Sequence, residues 1–353
     1  MDQIKTSSAR IERDQALELL TRAPLGELMR LAFEVRQEHH PDNLVTFVYD
    51  TNPNYTNVCV TRCRFCAFHH TADDAQAYTL SPAELAEQVR KAYEGGATTV
   101  LLQGGHNPEV RLTDWCDYIK GIQAACPGIH IHPFSPSEVA FLAELEQLTT
   151  VDVLTTLKGL GIDTMPGGGA EILTERVRNL LSPAKIPSSR WLEIMGEAHS
   201  LGFRTTATMM FGHLETEAEI IEHLFRLREL QDRTQGFASF IPWSFKPGSS
   251  PLSSEVKQAS HSARYVRILA IARLVLDNFE HIQSSWFSEN VTAGQLGLLA
   301  GADDFGGILI EENVLRKTGF APRTTLEKVL EIIRSAGFIP ARRDSYYRII
   351  ERY

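Results

Sequence analysis

The chain has 353 residues, 43% of them hydrophobic and 22% charged, and a formal net charge of −9. This composition excludes a disordered polymer and supplies enough apolar material for one barrel-sized domain or two smaller ones. The acidic balance argues against a nucleic-acid partner, because phosphate binding requires a basic surface and no long Lys/Arg block occurs.

From about residue 10 to 40 the pattern is that of amphipathic helices, interrupted near Pro24. This part reads as a helical extension over residues 1–43, and the remaining 44–353 as one unit with C-terminal elements. Strand-like segments follow near 44–50, 98–103, 129–134, 162–165, 204–211, 237–245, 282–287 and 305–310. Helical patterns such as Ser81–Glu94, Leu112–Ala125, Glu138–Leu148, Thr216–Gln231 and Ala263–Asp277 separate them. Eight strands alternating with helices predict an α/β fold, a (β/α)8 barrel of the TIM type. Local chemistry agrees: Ser81-Pro82 opens one helix with a hydroxyl cap and a first-turn proline, and Gly95-Gly96 closes it. The composition of Thr205–Phe211 fits a parallel strand buried on both faces.

Cys59, Cys63 and Cys66 stand in a CxxxCxxC run just after the first predicted strand. A [4Fe–4S] cluster normally takes four thiolates, so three closely spaced ligands leave one iron open to something else. A zinc site competes with this reading, with His69 or His70 as a fourth ligand. The two other cysteines, Cys116 and Cys126, fall in and just after a predicted helix, where packing is the expected role. Three of five cysteines within eight positions argue against a secreted disulfide framework. No apolar run is long enough to span a bilayer and Met1–Lys5 lacks the core of a signal peptide, so a cytoplasmic location with no membrane partner is expected.

In such a barrel the loops after the C-terminal strand ends carry function. The cysteine run follows the first strand, Gln103-Gly104-Gly105-His106 the second, Pro133–Pro136 the third, Pro166–Glu171 the fourth, Phe211–Glu215 the fifth and Trp243-Ser244-Phe245 ends the sixth. All are expected to face one mouth. Gly104-Gly105 lets a backbone approach a ligand closely, although such a pair alone is also an ordinary turn. Gly167–Gly169 lacks the Lys and Ser/Thr of a phosphate-binding loop and the spacing of a dinucleotide fingerprint, which excludes both.

Asn54–Phe68, Leu102–Gly105 and Met165–Leu173 together resemble the radical S-adenosylmethionine (SAM) enzymes, in the branch that holds dehypoxanthine futalosine cyclases, aminofutalosine synthases and deazaflavin-precursor synthases. The resemblance covers nearly the whole chain. Thr206–His213, Phe240–Phe245 and Ala302–Gly307 are most similar to the cyclases of the futalosine route to menaquinone. What this implies is a radical SAM barrel holding a [4Fe–4S] cluster and SAM. The implied reaction takes hydrogen from C4′ of the ribose of dehypoxanthine futalosine and closes a carbon–carbon bond onto the benzoate ring. An electron donor such as flavodoxin or ferredoxin is implied as a partner, beside the nucleoside-derived substrate.

The resemblance also assigns residues. Cys59, Cys63 and Cys66 ligate the cluster, and Gln103, Gly104 and Gly105 take the place of a SAM-binding Gly-Gly-Glu loop, with His106 where the acidic residue usually stands. Glu171 is expected on the SAM ribose, against the alternative of a first-turn helix carboxylate. Thr208, Met210 and Glu215 are expected to back the adenine. Trp243 and Phe245, two apart on a strand end, are expected on one face, as core or as a platform for the benzoate ring. His213 and Asp304 are the candidate proton acceptors, each with a structural role as its alternative.

Overall fold

The computed structural model describes residues 10–312, 315–319 and 324–353. Its strands are β1 (Leu44–Asn52), β2 (Thr99–Leu102), β3 (His130–Pro133), β4 (Thr164–Met165), β5 (Arg204–Phe211), β6 (Phe237–Ser244), β7 (His281–Ile282), β8 (Asp304–Glu312), β9 (Ile339–Arg343) and β10 (Ile349–Arg352). Parallel pairing joins β1 to β2 and β3, and separately joins β4 through β7 in sequence order. β8 pairs with β1, and a bridge between Gln283 and Asp304 links it to the end of β7. The strands thus follow one another around a common interior, as the alternating pattern predicts for a TIM-type α/β fold, but as two sheets curled into a half-barrel. β9 adds a parallel strand to the Leu44–Phe47 half of β1, and β10 folds back antiparallel on it.

Side-chain alternation decides what this interior is. On β1, Val48, Asp50 and Asn52 face a central cavity; on β5, Thr206 and Thr208 do; on β6, Ser239, Ile241 and Trp243. The intervening Phe47, Ala207, Met209, Phe211 and Phe240 are fully buried on the opposite face. Burial of β5 on both faces is therefore corrected: its inner face borders a hollow interior.

β7 is shorter than the predicted 282–287. The Asp303 carboxylate takes the Ile282 N–H at 2.8 Å, the Tyr265 hydroxyl accepts the Ser285 N–H at 2.6 Å, and the Trp286 N–H turns back to Ser284 O at 2.9 Å. Gln283 and Ser284 still donate to Phe240 O (3.0 Å) and Asp304 O (2.7 Å), so the pairing ends at Ser285. A further helix, Thr150–Gly159, is started by the reciprocal cap of Thr149 and Asp152.

The helical preamble comprises Arg13–Arg22 and Leu25–His39, split at Ala23-Pro24, and packs on the helices Glu217–Thr234 and Ser262–Val275. Arg36 is fully buried and donates to Ala302 O at 3.0 Å and Leu44 O at 2.8 Å, tying the second helix to the base of β1. Arg36→Met leaves both carbonyls without this donor and is expected to cost about 2–4 kcal/mol, read as a lower denaturant midpoint at unchanged slope.

Candidate active site

The cysteine loop is built by backbone pairing with its neighbours. The Cys59 N–H donates to His70 O (3.1 Å), Val60 N–H to His106 O (3.0 Å) and Arg64 N–H to Leu181 O (2.8 Å). Cys59, Cys63 and Cys66 line one cavity of about 180 Å³ with Gln103, Gly104, Gly105, His106, Glu138 and Lys185. The His106 N–H donates to Cys59 Sγ at 3.3 Å, and its buried ring stacks on Phe141.

His70, one of the possible zinc ligands, is held by Asp74 at 3.0 Å, and His69 Nδ1 lies 2.9 Å from Cys66 O.

The Gly104-Gly105 loop is packed against the cysteines themselves. A Cβ on Gly105 would fall 2.1 Å from Val58 O and 2.9 Å from the Cβ of Cys59, so only glycine permits this approach. Glu138, fully buried, accepts the Gly104 N–H at 3.0 Å, the Tyr55 hydroxyl at 3.1 Å and the Ser135 N–H at 2.7 Å. Burial raises its carboxyl above the usual range despite these donors. Sequence reasoning passed over Glu138, although the Ser135-x-x-Glu138 capping-box spacing marks it.

A second cavity of about 310 Å³ fills the barrel interior and shares Asn52, Gln103 and Gly169 with the first. Of the residues expected at the site, Gln103, Glu171, Thr208 and Trp243 line it. Thr208 donates to Gly167 O at 2.6 Å and Thr206 accepts the Gly167 N–H at 3.0 Å, fixing the glycine loop to β5. Glu171 pairs with Lys185 at 3.0 Å. Burial would raise its carboxyl, but Lys185 and Arg178 outweigh burial and hold it below the usual range. The following helix starts at Glu175, so Glu171 lies before the first turn and the helix-dipole alternative falls.

Five expected site residues line neither cavity. His213 has a fully buried side chain whose Nδ1 accepts the Leu214 N–H at 2.7 Å while Nε2 meets Met210 O at 2.8 Å, so both nitrogens serve their own loop. Glu215 accepts the Gly212 and His213 N–H groups, and Met210 is buried beneath them. Phe245 does not share the face of Trp243: β6 ends at Ser244, alternation stops, and its ring meets His213 edge-on. Asp304 binds Arg343 through Nε (2.5 Å) and Nη2 (3.1 Å), and also Thr46 Oγ1 (2.6 Å), which makes it a clamp between strands.

Residues not anticipated from sequence take part instead. Lys185 reaches the cysteine cavity, while Arg343, Ser345 and Tyr347 from the C-terminus line the interior one with Asp50 and His132. Burial pushes the Asp50 carboxyl up to about 7, with Asp304 adding to the rise and Arg343 opposing it. Burial lowers His132 to about 3, leaving a neutral imidazole.

The sequence pattern of the radical SAM superfamily fits residues 53–227, and that of the CofH/MqnC C-terminal region fits residues 234–352. A cyclic dehypoxanthine futalosine synthase of Streptomyces coelicolor is 37% identical over 344 residues, covering 97% of this chain and 86% of the relative. The chain belongs to the radical SAM superfamily. A 5-amino-6-(D-ribitylamino)uracil–L-tyrosine 4-hydroxyphenyl transferase of Methanopyrus kandleri is 40% identical over 332 residues, covering 93% of this chain and 90% of that one. In fold, a crystal structure of methylornithine synthase superimposes with a TM-score of 0.72 at 18% identity, covering 95% of each chain. This radical SAM enzyme belongs to a family that uses a [4Fe–4S] cluster and SAM, and its three cysteines fit the cluster. No described helix is long and apolar enough to cross a membrane.

Gly105→Val should displace the Cys59 backbone and cut iron content after anaerobic reconstitution to roughly half or less, because the obstructing atoms are main chain and cannot rotate away. Normal iron content in a folded variant would contradict the packing described. Asp50→Asn should be more stable than the wild type, increasingly so between pH 4 and 7. There the folded wild type holds a proton that its unfolded chain, with an ordinary carboxyl near pH ~4, has released, so wild-type stability falls as pH rises. Each tenfold rise in proton affinity on folding is worth about 1.4 kcal/mol, read from urea midpoints at each pH.

Proposed function

We propose that this enzyme is a radical SAM cyclase of menaquinone biosynthesis, converting dehypoxanthine futalosine to cyclic dehypoxanthinylfutalosinate. The observation that carries the reading is the junction of the two cavities at Asn52, Gln103 and Gly169. A hydrogen-abstracting species made beside the cysteines meets a substrate in the barrel interior without crossing bulk water. Trp243, Phe287 and Tyr347 give that interior aromatic surface suited to a benzoate ring. The 37% identity to cyclic dehypoxanthine futalosine synthases from two organisms supports the same reading.

When bound, the cluster and SAM supply the radical that takes hydrogen from the substrate ribose. Cys59, Cys63 and Cys66 are the ligands in this proposal. Glu138 holds the Gly104 amide, so the Gln103–Gly105 backbone presents a fixed edge to the SAM amino group. Glu171, oriented by Lys185, offers its carboxylate toward SAM hydroxyls, and Thr208 keeps the glycine loop closed above the interior. Trp243 is placed on the aromatic part of the substrate. A small reducing protein such as flavodoxin or ferredoxin supplies the electron, and a reducing cytoplasm suits five free cysteines.

The second reading, favoured by the 40% identity to a hydroxyphenyl transferase, joins a tyrosine-derived phenol to 5-amino-6-(D-ribitylamino)uracil. Product analysis separates the two. The reduced, reconstituted enzyme is expected to turn dehypoxanthine futalosine into a product lighter by two hydrogens, with 5′-deoxyadenosine formed. With tyrosine and the ribitylated uracil it should yield no adduct by mass spectrometry, and the reverse outcome overturns the cyclase reading. Cys59→Ala, Cys63→Ala and Cys66→Ala should each abolish deoxyadenosine formation, whereas Cys116→Ala retains it.

A further inference from the structure

Four buried polar atoms on residues of the interior cavity wall have no hydrogen-bond partner: Asp50 Oδ1, Asn52 Oδ1 and His132 Nδ1 on β1 and β3, and Ser239 Oγ across the cavity on β6. Folded proteins pair the great majority of such atoms, so a group of orphans around one hollow calls for an explanation. Asp50 and Asn52 are successive inward positions of β1, and His132 faces inward from β3, one strand beyond β2.

The fold keeps these groups available to a ligand. Arg343 is the cation nearest to Asp50, yet Asp304 accepts from both Nε and Nη2 of its guanidinium, and Nη1 donates to Asp344 O. Gly307 supports Asp50 from β8, where any Cβ would fall 2.1 Å from Oδ1. Burial keeps His132 neutral and raises the Asp50 carboxyl to about 7, with Arg343 opposing that rise and Asp304 adding to it. A carboxyl that can donate or accept, a carboxamide oxygen and an imidazole nitrogen do not suit phosphate. They match the donors and acceptors of alcohols.

We infer that Asp50, Asn52 and His132 form a hydroxyl-recognition wall inside the barrel, which takes the polyhydroxylated five-carbon part of the substrate. The inference deepens the proposed function and rests on it for the identity of that part as a ribosyl group. The alternative substrate would place a ribityl chain on the same atoms.

The test is a cycle between side chain and ligand hydroxyl, run by calorimetry on the reconstituted enzyme without reductant, so that binding is read and not turnover. Dehypoxanthine futalosine and its analogues lacking single ribose hydroxyls are titrated into wild type, Asp50→Ala, Asp50→Asn and His132→Phe. A site built around hydroxyls rejects the analogue that lacks one, because its own polar atoms then stay unpaired. Wild type should prefer the full ligand over at least one deoxy analogue by about 100-fold or more, and Asp50→Ala or His132→Phe should reduce that preference to roughly tenfold or less. Binding of the deoxy analogue itself should change little, which separates lost recognition from misfolding, and Asp50→Asn should retain part of the preference. If the enzyme binds only the ribitylated uracil, the cyclase reading fails and the same cycle with deoxyribityl analogues decides the wall. Equal discrimination by wild type and variants, for whichever ligand binds, overturns the inference.

Discussion

The pair formed by Asp304 and Arg343 closes the floor of the barrel, and much of the site depends on it. Asp304 begins β8 and Arg343 ends β9, while Thr46 of β1 adds a third bond to the same carboxylate. Three strands distant in sequence are thereby locked at one point that is fully buried at Asp304. Removing one member of such a pair strands the other in low dielectric, a loss of about 3–5 kcal/mol, so the C-terminal strand is held firmly. With it come Ser345 and Tyr347 on the cavity wall.

At the other end of β1 the constraint is closeness of backbone. The chain leaves the strand through Asn54, which donates to Gln103 O at 3.1 Å, and passes under Gly105 before reaching Cys59. The cysteine loop and the glycine loop are one packed unit, fastened by the Gly105 N–H to Thr56 O and by Glu138 beneath Gly104. One strand therefore carries the inward polar groups of the interior cavity and leads into the cysteine loop, whose place is set by these loop pairings.

Local signals made part of this legible in the sequence. The CxxxCxxC run, the Ser81 cap and the strands near 44–50, 204–211 and 237–245 depend on neighbours within a few residues, and the structure has them there. The two-residue period also foretold Trp243, but failed one residue past the strand end at Phe245. Lys185, Arg343 and Tyr347 were illegible because they reach the site only through the tertiary fold. Asp304 and His213 sit on loops or strand ends that face the right way, but their polar atoms are consumed by Arg343 and by the loop backbone. Loop position narrows a search; the hydrogen-bond inventory decides it.

A hollow interior moves the burden of stability outward. Phe237 stacks on both Trp191 and Phe279, and Phe240 meets Phe279 edge-on, all essentially fully buried, so the apolar core lies between strands and helices and not at the barrel axis. Inward positions are thus freed from packing and can hold groups that folding alone would reject. Asp50 is the clearest instance: an apolar residue of its size would remove an unpaired carboxyl and its burial penalty, at no cost to the outer core. That the strand keeps a carboxyl where stability disfavours one is the physical ground for assigning the barrel axis to ligand recognition.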